Sequence, residues 1–263
     1  MAKVITSPQN QLVKDIVGIT EKVRERRASG FFVAEGLREV NLALRNGWEV
    51  ETILYNPILT DLQGMPLHHV RDLIEVSPPV MEKIAYRANI PNVVAIIKQR
   101  ELALPTLQNT PAPLVLILEQ VEKPGNLGAM LRTADAAAVS AVIICDPATD
   151  VWNPNTVRNS LGALFTVPIA LGTTAEVIEW AANQGIRTYA THLEASTPYT
   201  NHDFNKPTAF VLGAEATGLT PAWWQHADER IIVPMSGSVD SMNVSVTAGI
   251  VLFEALRQRQ KQK

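Results

Sequence analysis

The sequence predicts an α/β protein of two domains: a small α/β unit over residues 1–100 and a larger one over 114–263 built on a largely parallel sheet, with a linker at 101–113. Three observations carry this expectation. The 263 residues exceed what one average domain of about 100 to 200 residues needs. The segment ELALPTLQNTPAPL sets three prolines and several small polar residues between two strand-like runs, which is linker composition. Downstream, short aliphatic runs alternate with segments of helical length, the pattern of strand–helix–strand crossovers on a parallel sheet.

The elements follow in order. In SPQNQLVKDIVGI, Ser7 is placed as an N-cap and Pro8 in the first helical position, and Leu12, Val13, Ile16 and Val17 recur at helical spacing. FFVAEG, VETILYN and VVAIIKQ read as short strands, while REVNLALRNG and PVMEKIAYR read as helices, with Gly47 ending the first. In the larger unit LVLILE, AVIICD, FTVPIAL, RTYATHL, TAFVLG and RIIVP read as strands. GNLGAMLRTADAAAV, NPNTVRNSLGAL, TAEVIEWAANQGI and MNVSVTAGIVLFEALRQR supply the intervening helices, and RQRQKQK is expected to fray into solvent.

Composition excludes several classes. With 46% hydrophobic and 19% charged residues the chain has the balance of a globular protein rather than a disordered one. The single cysteine, Cys145, rules out an intramolecular disulfide and a thiolate cluster, and sits in an apolar run as a buried thiol; a reducing cytoplasm is the natural setting. MAKVITSPQNQLVKD lacks the apolar stretch of a signal peptide, and no run approaches the roughly 20 residues that span a bilayer. Adjacent His68 and His69 have no third ligand nearby, so no metal is expected. The net charge of −3 argues against bulk electrostatic coating of nucleic acid, but Lys14, Arg24, Arg26, Arg27 and Arg38 concentrate basic charge near the N-terminus. They are candidate RNA-phosphate contacts, with a solvated helix face as the alternative.

Ligands of a parallel sheet bind where strands end, so the loops after the strands carry the chemistry. Three stand out: EQVEKPGNLGAMLRTADA, VLGAEATGL and IIVPMSGSVDSMNVSVTAGI. The first lacks the third glycine of a dinucleotide fingerprint, which weakens a dehydrogenase reading. In the second, glycine after a strand lets a flat ligand approach the backbone. In the third, Ser241 and Asn243 stand at the mouth of the last helix. AWWQHA either stacks RNA bases or belongs partly to the core.

Together, in this order, the three loops resemble the signature motifs of the SpoU (TrmH) family of SPOUT RNA methyltransferases. The likeness is strong over roughly the last 150 residues. It is weaker, through NQLVKDI and RERRASGFFVAEG, to the ribosomal-protein-like substrate-binding domain common in that family. The resemblance implies a trefoil-knotted methyltransferase domain, an obligate homodimer, and S-adenosylmethionine held against Leu212, Gly213, Val233, Met235 and Met242. It further implies that Arg132 is catalytic, oriented by Asn126 and Glu215, with Ser241 and Asn243 holding the ribose or its phosphate. The expected activity is 2′-O-methylation of a ribose in RNA, ribosomal RNA being preferred to tRNA; a non-catalytic RNA-binding assembly factor is the rival from another class.

Overall fold

Alternation of side chains along short strands builds the first unit, because each strand can then feed two apolar layers at once. The computed structural model describes residues 3–86, 90–108, 110–193, 195, 197–239 and 241–260, and only the backbone of His69. In chain order the elements are β1 (Lys3–Ile5), α1 (Gln11–Glu21), α2 (Val23–Ser29), β2 (Phe31–Glu35), α3 (Leu37–Arg45), β3 (Val50–Tyr55), β4 (Asp72–Val76), α4 (Pro78–Ile84) and β5 (Val93–Lys98). There follow β6 (Leu114–Glu119), α5 (Pro124–Ala136), β7 (Ala141–Cys145), α6 (Pro154–Asn159), β8 (Ile169–Gly172) and α7 (Thr174–Asn183). The last are β9 (Arg187–Thr191), β10 (Thr197–Pro198), β11 (Thr208–Leu212), α8 (Pro221–His226), β12 (Glu229–Ile232) and α9 (Val244–Gln260).

The chain forms two compact units, and they are not collinear with it: Met1–Arg100 joins Asp150–Thr166, and Glu101–Thr149 joins Val167–Lys263. The first unit holds a mixed sheet in the order β1-β4-β3-β5-β2, in which β2 and β3 run antiparallel to β5. On one face Val33, Leu54, Ile74, Val94 and Ile96 pack with Val13 and Ile16 of α1 and Val80, Met81 and Ile84 of α4. On the other face Phe32, one residue along from Val33, meets Trp48, Trp152 and Phe165 at ring separations of 4.7 to 6.2 Å.

Trp152 and Phe165 belong to the returning segment, which explains why NPNTVRNSLGAL is not a crossover helix of the parallel sheet. Its helix α6 stops at Asn159, Gly162 takes a left-handed φ of +94°, and a Cβ there would run into Leu42. FTVPIAL divides accordingly, Phe165 going to the aromatic cluster and only Ile169–Gly172 to the sheet.

Arg26 holds the same segment. Its guanidinium is 3% exposed, donates Nε–H to Asp150 Oδ2 at 2.7 Å, and donates through Nη1 to the carbonyls of Ile19 and Thr20 at 2.8 and 2.9 Å. All three acceptors lie inside the unit, so Arg26 does not face RNA phosphate, a correction to its place among the basic candidates. Lys14, Arg24, Arg27 and Arg38 are exposed.

The second unit is a seven-stranded sheet in the order β10-β12-β9-β11-β6-β7-β8, and every pairing is parallel. One face packs on α7 and α8, where Val177, Ala181 and Trp223 meet Val115, Ile117, Ile143 and Val211. The other carries α9, which lies against α5 and β11. The proline-rich stretch is not a free linker: Leu171 N–H donates to Leu102 O along β8, and Leu104 and Leu107 pack on the core; Asn109 lies outside the described residues.

Smaller differences have local causes. Helix α1 starts at Gln11 because the Asn10 side chain accepts from Leu12 N–H at 2.9 Å, a cap that Ser7 does not provide. The PVMEKIAYR helix ends at Ile84, and its Arg87 lies outside the described residues. The last helix holds its register through Gln260, because Arg259 donates to the carbonyls of Ala112, Phe204 and Lys206 while Gln258 binds Phe204 N–H. Residues 261–263 of RQRQKQK lie outside the described set.

Removing Asp150 strands a buried guanidinium, a change that costs about 3–5 kcal/mol in comparable pairs. Asp150→Ala is therefore expected to lose about 3 kcal/mol in urea unfolding, whereas Glu51→Ala, which breaks the exposed Arg71 pair, loses at most about 1 kcal/mol. Equal losses in the two variants would dismiss Arg26 as the strap.

Candidate active site

Parallel strands deliver all their C-terminal ends to one edge of the sheet, and there the loops after β9, β11 and β12 enclose a cavity of about 570 Å3. Leu212 and Gly213 come from the end of β11, Val233 and Met235 from the segment after β12, and Met242 from the approach to α9. All five expected cofactor contacts thus line one cavity. Asn126, Glu215, Ser241 and Asn243 line it too, with Lys123 beside them.

The loop after β11 closes on itself. Ala214 and Gly218 exchange backbone hydrogen bonds of 3.1 and 2.9 Å, and Gly218 takes a φ of +69°. A Cβ on Gly213 would collide with the backbone of Gly218 and the nitrogen of Leu219, so glycine is demanded here by the loop's own closure as well as by ligand approach.

The polar wall is a relay. Asn126 Nδ2 donates to Glu215 Oε1 at 2.5 Å, and Asn243 Nδ2 donates to Asn126 Oδ1 at 3.3 Å. The Asn243 Oδ1 in turn accepts from Ser245 N–H at 2.8 Å and Ser245 Oγ at 2.7 Å, which ties the wall to the first turn of α9. Burial pushes the Glu215 carboxyl up, but hydrogen bonds from Asn126, its own backbone and Glu122, with the charge of Lys123, outweigh it and hold the group below the usual carboxylate range. Glu215 is therefore an acceptor that orients its neighbours, not a proton donor.

Arg132 is not part of this cavity. It follows Asn126 by six residues on α5, about 9 Å further along the axis and roughly 120° around it, and is exposed. Asn126 and Glu215 bond each other, where they were expected to orient Arg132.

Sequence reasoning missed the opposite wall. Thr191, His192 and Leu193 leave the end of β9, and Trp224 of α8 stands edge-on to His192 with ring centroids 4.4 Å apart. The two tryptophans divide their roles: Trp223 is fully buried in the core, and Trp224, 38% exposed, faces the cavity. No glycine marks the loop after β9; only its place between β11 and β12 brings it here. Among the described residues no three His, Cys, Asp or Glu side chains gather as metal ligands, and no helix is long and apolar enough to cross a membrane.

Known proteins share both units. The profile of the SpoU rRNA Methylase family matches residues 113–253, and that of the MRM3-like substrate binding domain matches 10–95. The 23S rRNA (uridine(2479)-2′-O)-methyltransferase of Streptomyces viridochromogenes is 31% identical over 245 residues, covering 89% of this chain and 85% of that one. The 23S rRNA (guanosine(2553)-2′-O)-methyltransferase of Bacillus subtilis is 29% identical over 95% of this chain and 98% of its own. The crystal structure of an AdoMet-bound rRNA methyltransferase from Sinorhizobium meliloti superposes with a TM-score of 0.89 at 35% identity, covering 97% of this chain and 98% of that one. With a family profile spanning more than half its length over the very loops that build the cavity, the chain belongs to the SpoU rRNA methylase family.

Proposed function

We propose that this chain transfers the methyl group of S-adenosylmethionine to a ribose 2′-hydroxyl of ribosomal RNA, in the cytoplasm. The observation that carries the reading is that all five expected cofactor residues, and four of the five residues expected to form the catalytic set, line one cavity. The residues suit the cofactor: the apolar side chains of Leu212, Ile232, Met235 and Met242 accept a flat adenine, and the Asn126–Glu215–Asn243 wall offers polar groups to the remainder. Bound there, S-adenosylmethionine supplies an electrophilic methyl on sulfur. The chain's own task is alignment, which in well-oriented systems contributes on the order of 7 to 11 kcal/mol. The assignment to ribosomal RNA rests on the substrates named for the Streptomyces and Bacillus relatives and on the substrate-binding unit at the N-terminus. The knotted threading belongs to the same proposal, supported by family membership and by three cavity loops that converge from β9, β11 and β12.

Arg132 acts from a second copy of the chain. A guanidinium holds its proton too firmly to serve as a base, so its role is to grip phosphate and steady the developing alkoxide. Lying exposed and outside its own cavity, it meets the reacting ribose when a partner subunit presents it. Helix α9 offers a surface for that partner. Val251 and Leu252 are buried within the subunit, while Val246 and Phe253, separated by two turns, remain 51% and 47% exposed.

Gly213→Val should abolish cofactor binding by forcing the loop open, and Arg132→Ala should bind cofactor normally yet lose at least roughly a hundredfold in turnover. Mixing the two variants after partial unfolding tests the partnership. Each mixed dimer holds one intact cavity facing one intact Arg132, so tritium transfer to 23S rRNA should return; a mixture as inactive as its parents sinks the arrangement.

The exposed bases Lys14, Arg24, Arg27 and Arg38 are proposed to contact RNA phosphates. Reversing Lys14, Arg24 and Arg27 to glutamate should weaken RNA binding and flatten its salt dependence, each lost contact removing close to one unit of slope. Calorimetric affinity for S-adenosylhomocysteine should stay as in the parent, and an unchanged salt slope would dismiss this face.

A further inference from the structure

Glu119 ends β6 with no exposure to solvent and lies outside the cavity lining. Its carboxylate nevertheless holds the far end of the cavity's glycine loop. Thr220 N–H donates to Glu119 Oε2 at 2.7 Å and Thr220 Oγ1 donates to Oε1 at 2.8 Å. Thr220 stands in the N-cap position of α8, where a threonine hydroxyl ordinarily turns back onto its own helix; here it makes no such bond and reaches Glu119. A third bond, from Thr174 Oγ1 at 2.7 Å, joins Glu119 to the first turn of α7.

The same loop is tied at its near end in the opposite sense. There the loop supplies the carboxylate, Glu215, and the segment after β6 supplies the donors, Asn126 Nδ2 and Glu122 N–H. Residues 213–220 are thus strapped to residues 119–126 at both ends, one carboxylate from each side. We propose that Glu119 is a positioning residue for the cofactor: through Thr220 it sets the path of the loop whose residues Leu212 to Leu219 form one cavity wall. This inference rests on the assignment of the cavity to S-adenosylmethionine.

A purely structural carboxylate would affect stability whichever of its bonds were cut, whereas a positioning one affects binding only through Thr220. Thr174→Val cuts the bond to α7 and leaves the loop strap, so it should lower the melting temperature without moving affinity for S-adenosylhomocysteine. Thr220→Val cuts one strap bond and should raise the calorimetric Kd about threefold to fivefold. Glu119→Ala, which removes both, should raise it at least tenfold. Glu119→Gln retains an acceptor for Thr220 N–H and should recover most of that loss. Should Glu119→Ala fail to fold, the comparison of Thr220→Val with Thr174→Val decides alone. A Kd unmoved in Thr220→Val, or shifted as far in Thr174→Val, overturns the proposal. Failure of the unsubstituted protein to bind S-adenosylhomocysteine would instead remove the cofactor assignment.

Discussion

The site depends on one constraint, that every pairing in the seven-stranded sheet is parallel. Each strand must then be followed by a return across the sheet, so the outgoing loops emerge at a single edge and their backbone groups converge there. The pairing of β11 with β6 on one side and β9 on the other gives the cavity its two chemically different walls. The first turn of α5, after β6, brings Asn126, and the loop after β9 brings His192, against which Trp224 of α8 stands. The glycine loop lies between them, closed by its own Ala214–Gly218 bonds and strapped by Glu119 and Glu215. Rigidity at that wall therefore comes from hydrogen bonds between two loops, while the sheet beneath supplies their register.

A second feature follows from burial. The first unit is completed by a segment that the chain delivers only after β7, held by Arg26 to Asp150 and by Trp152 and Phe165 stacked around Phe32. The three strand residues Phe32, Val33 and Ala34 are all buried, so both faces of β2 need cover, and the N-terminal hundred residues do not supply all of it. The chain consequently passes between the units three times. An arginine drawn into a buried, carbonyl-rich position is unavailable to a polyanion however basic its neighbourhood looks, because the unit would lose three hydrogen bonds to release it.

The sequence by itself determined most of the longer strands and helices, the parallel character of the second unit and the three loops that carry chemistry, but not the short strands β1, β4 and β10 or helix α2. Each feature it determined is written in local signals: aliphatic runs of strand length, helical spacing, and glycine or proline where a strand turns. The residues within those loops, Leu212, Gly213, Asn126, Glu215, Ser241, Met242 and Asn243, were named through the resemblance of the three motifs to the SpoU family, and they line one cavity. Tertiary structure alone decided what depends on distance along the chain. Arg26 reads as one more surface base until Asp150, far downstream, neutralises it. NPNTVRNSLGAL has helical composition, but which unit it covers is set by aromatic faces on both sides of the gap. His192 and Trp224 carry no loop signature and enter the site through strand order. Glu119 looks like the polar end of an apolar strand, and its hold on Thr220 exists only because folding brings residues about a hundred positions apart within 2.7 Å, where the buried carboxylate must find its partners within the protein.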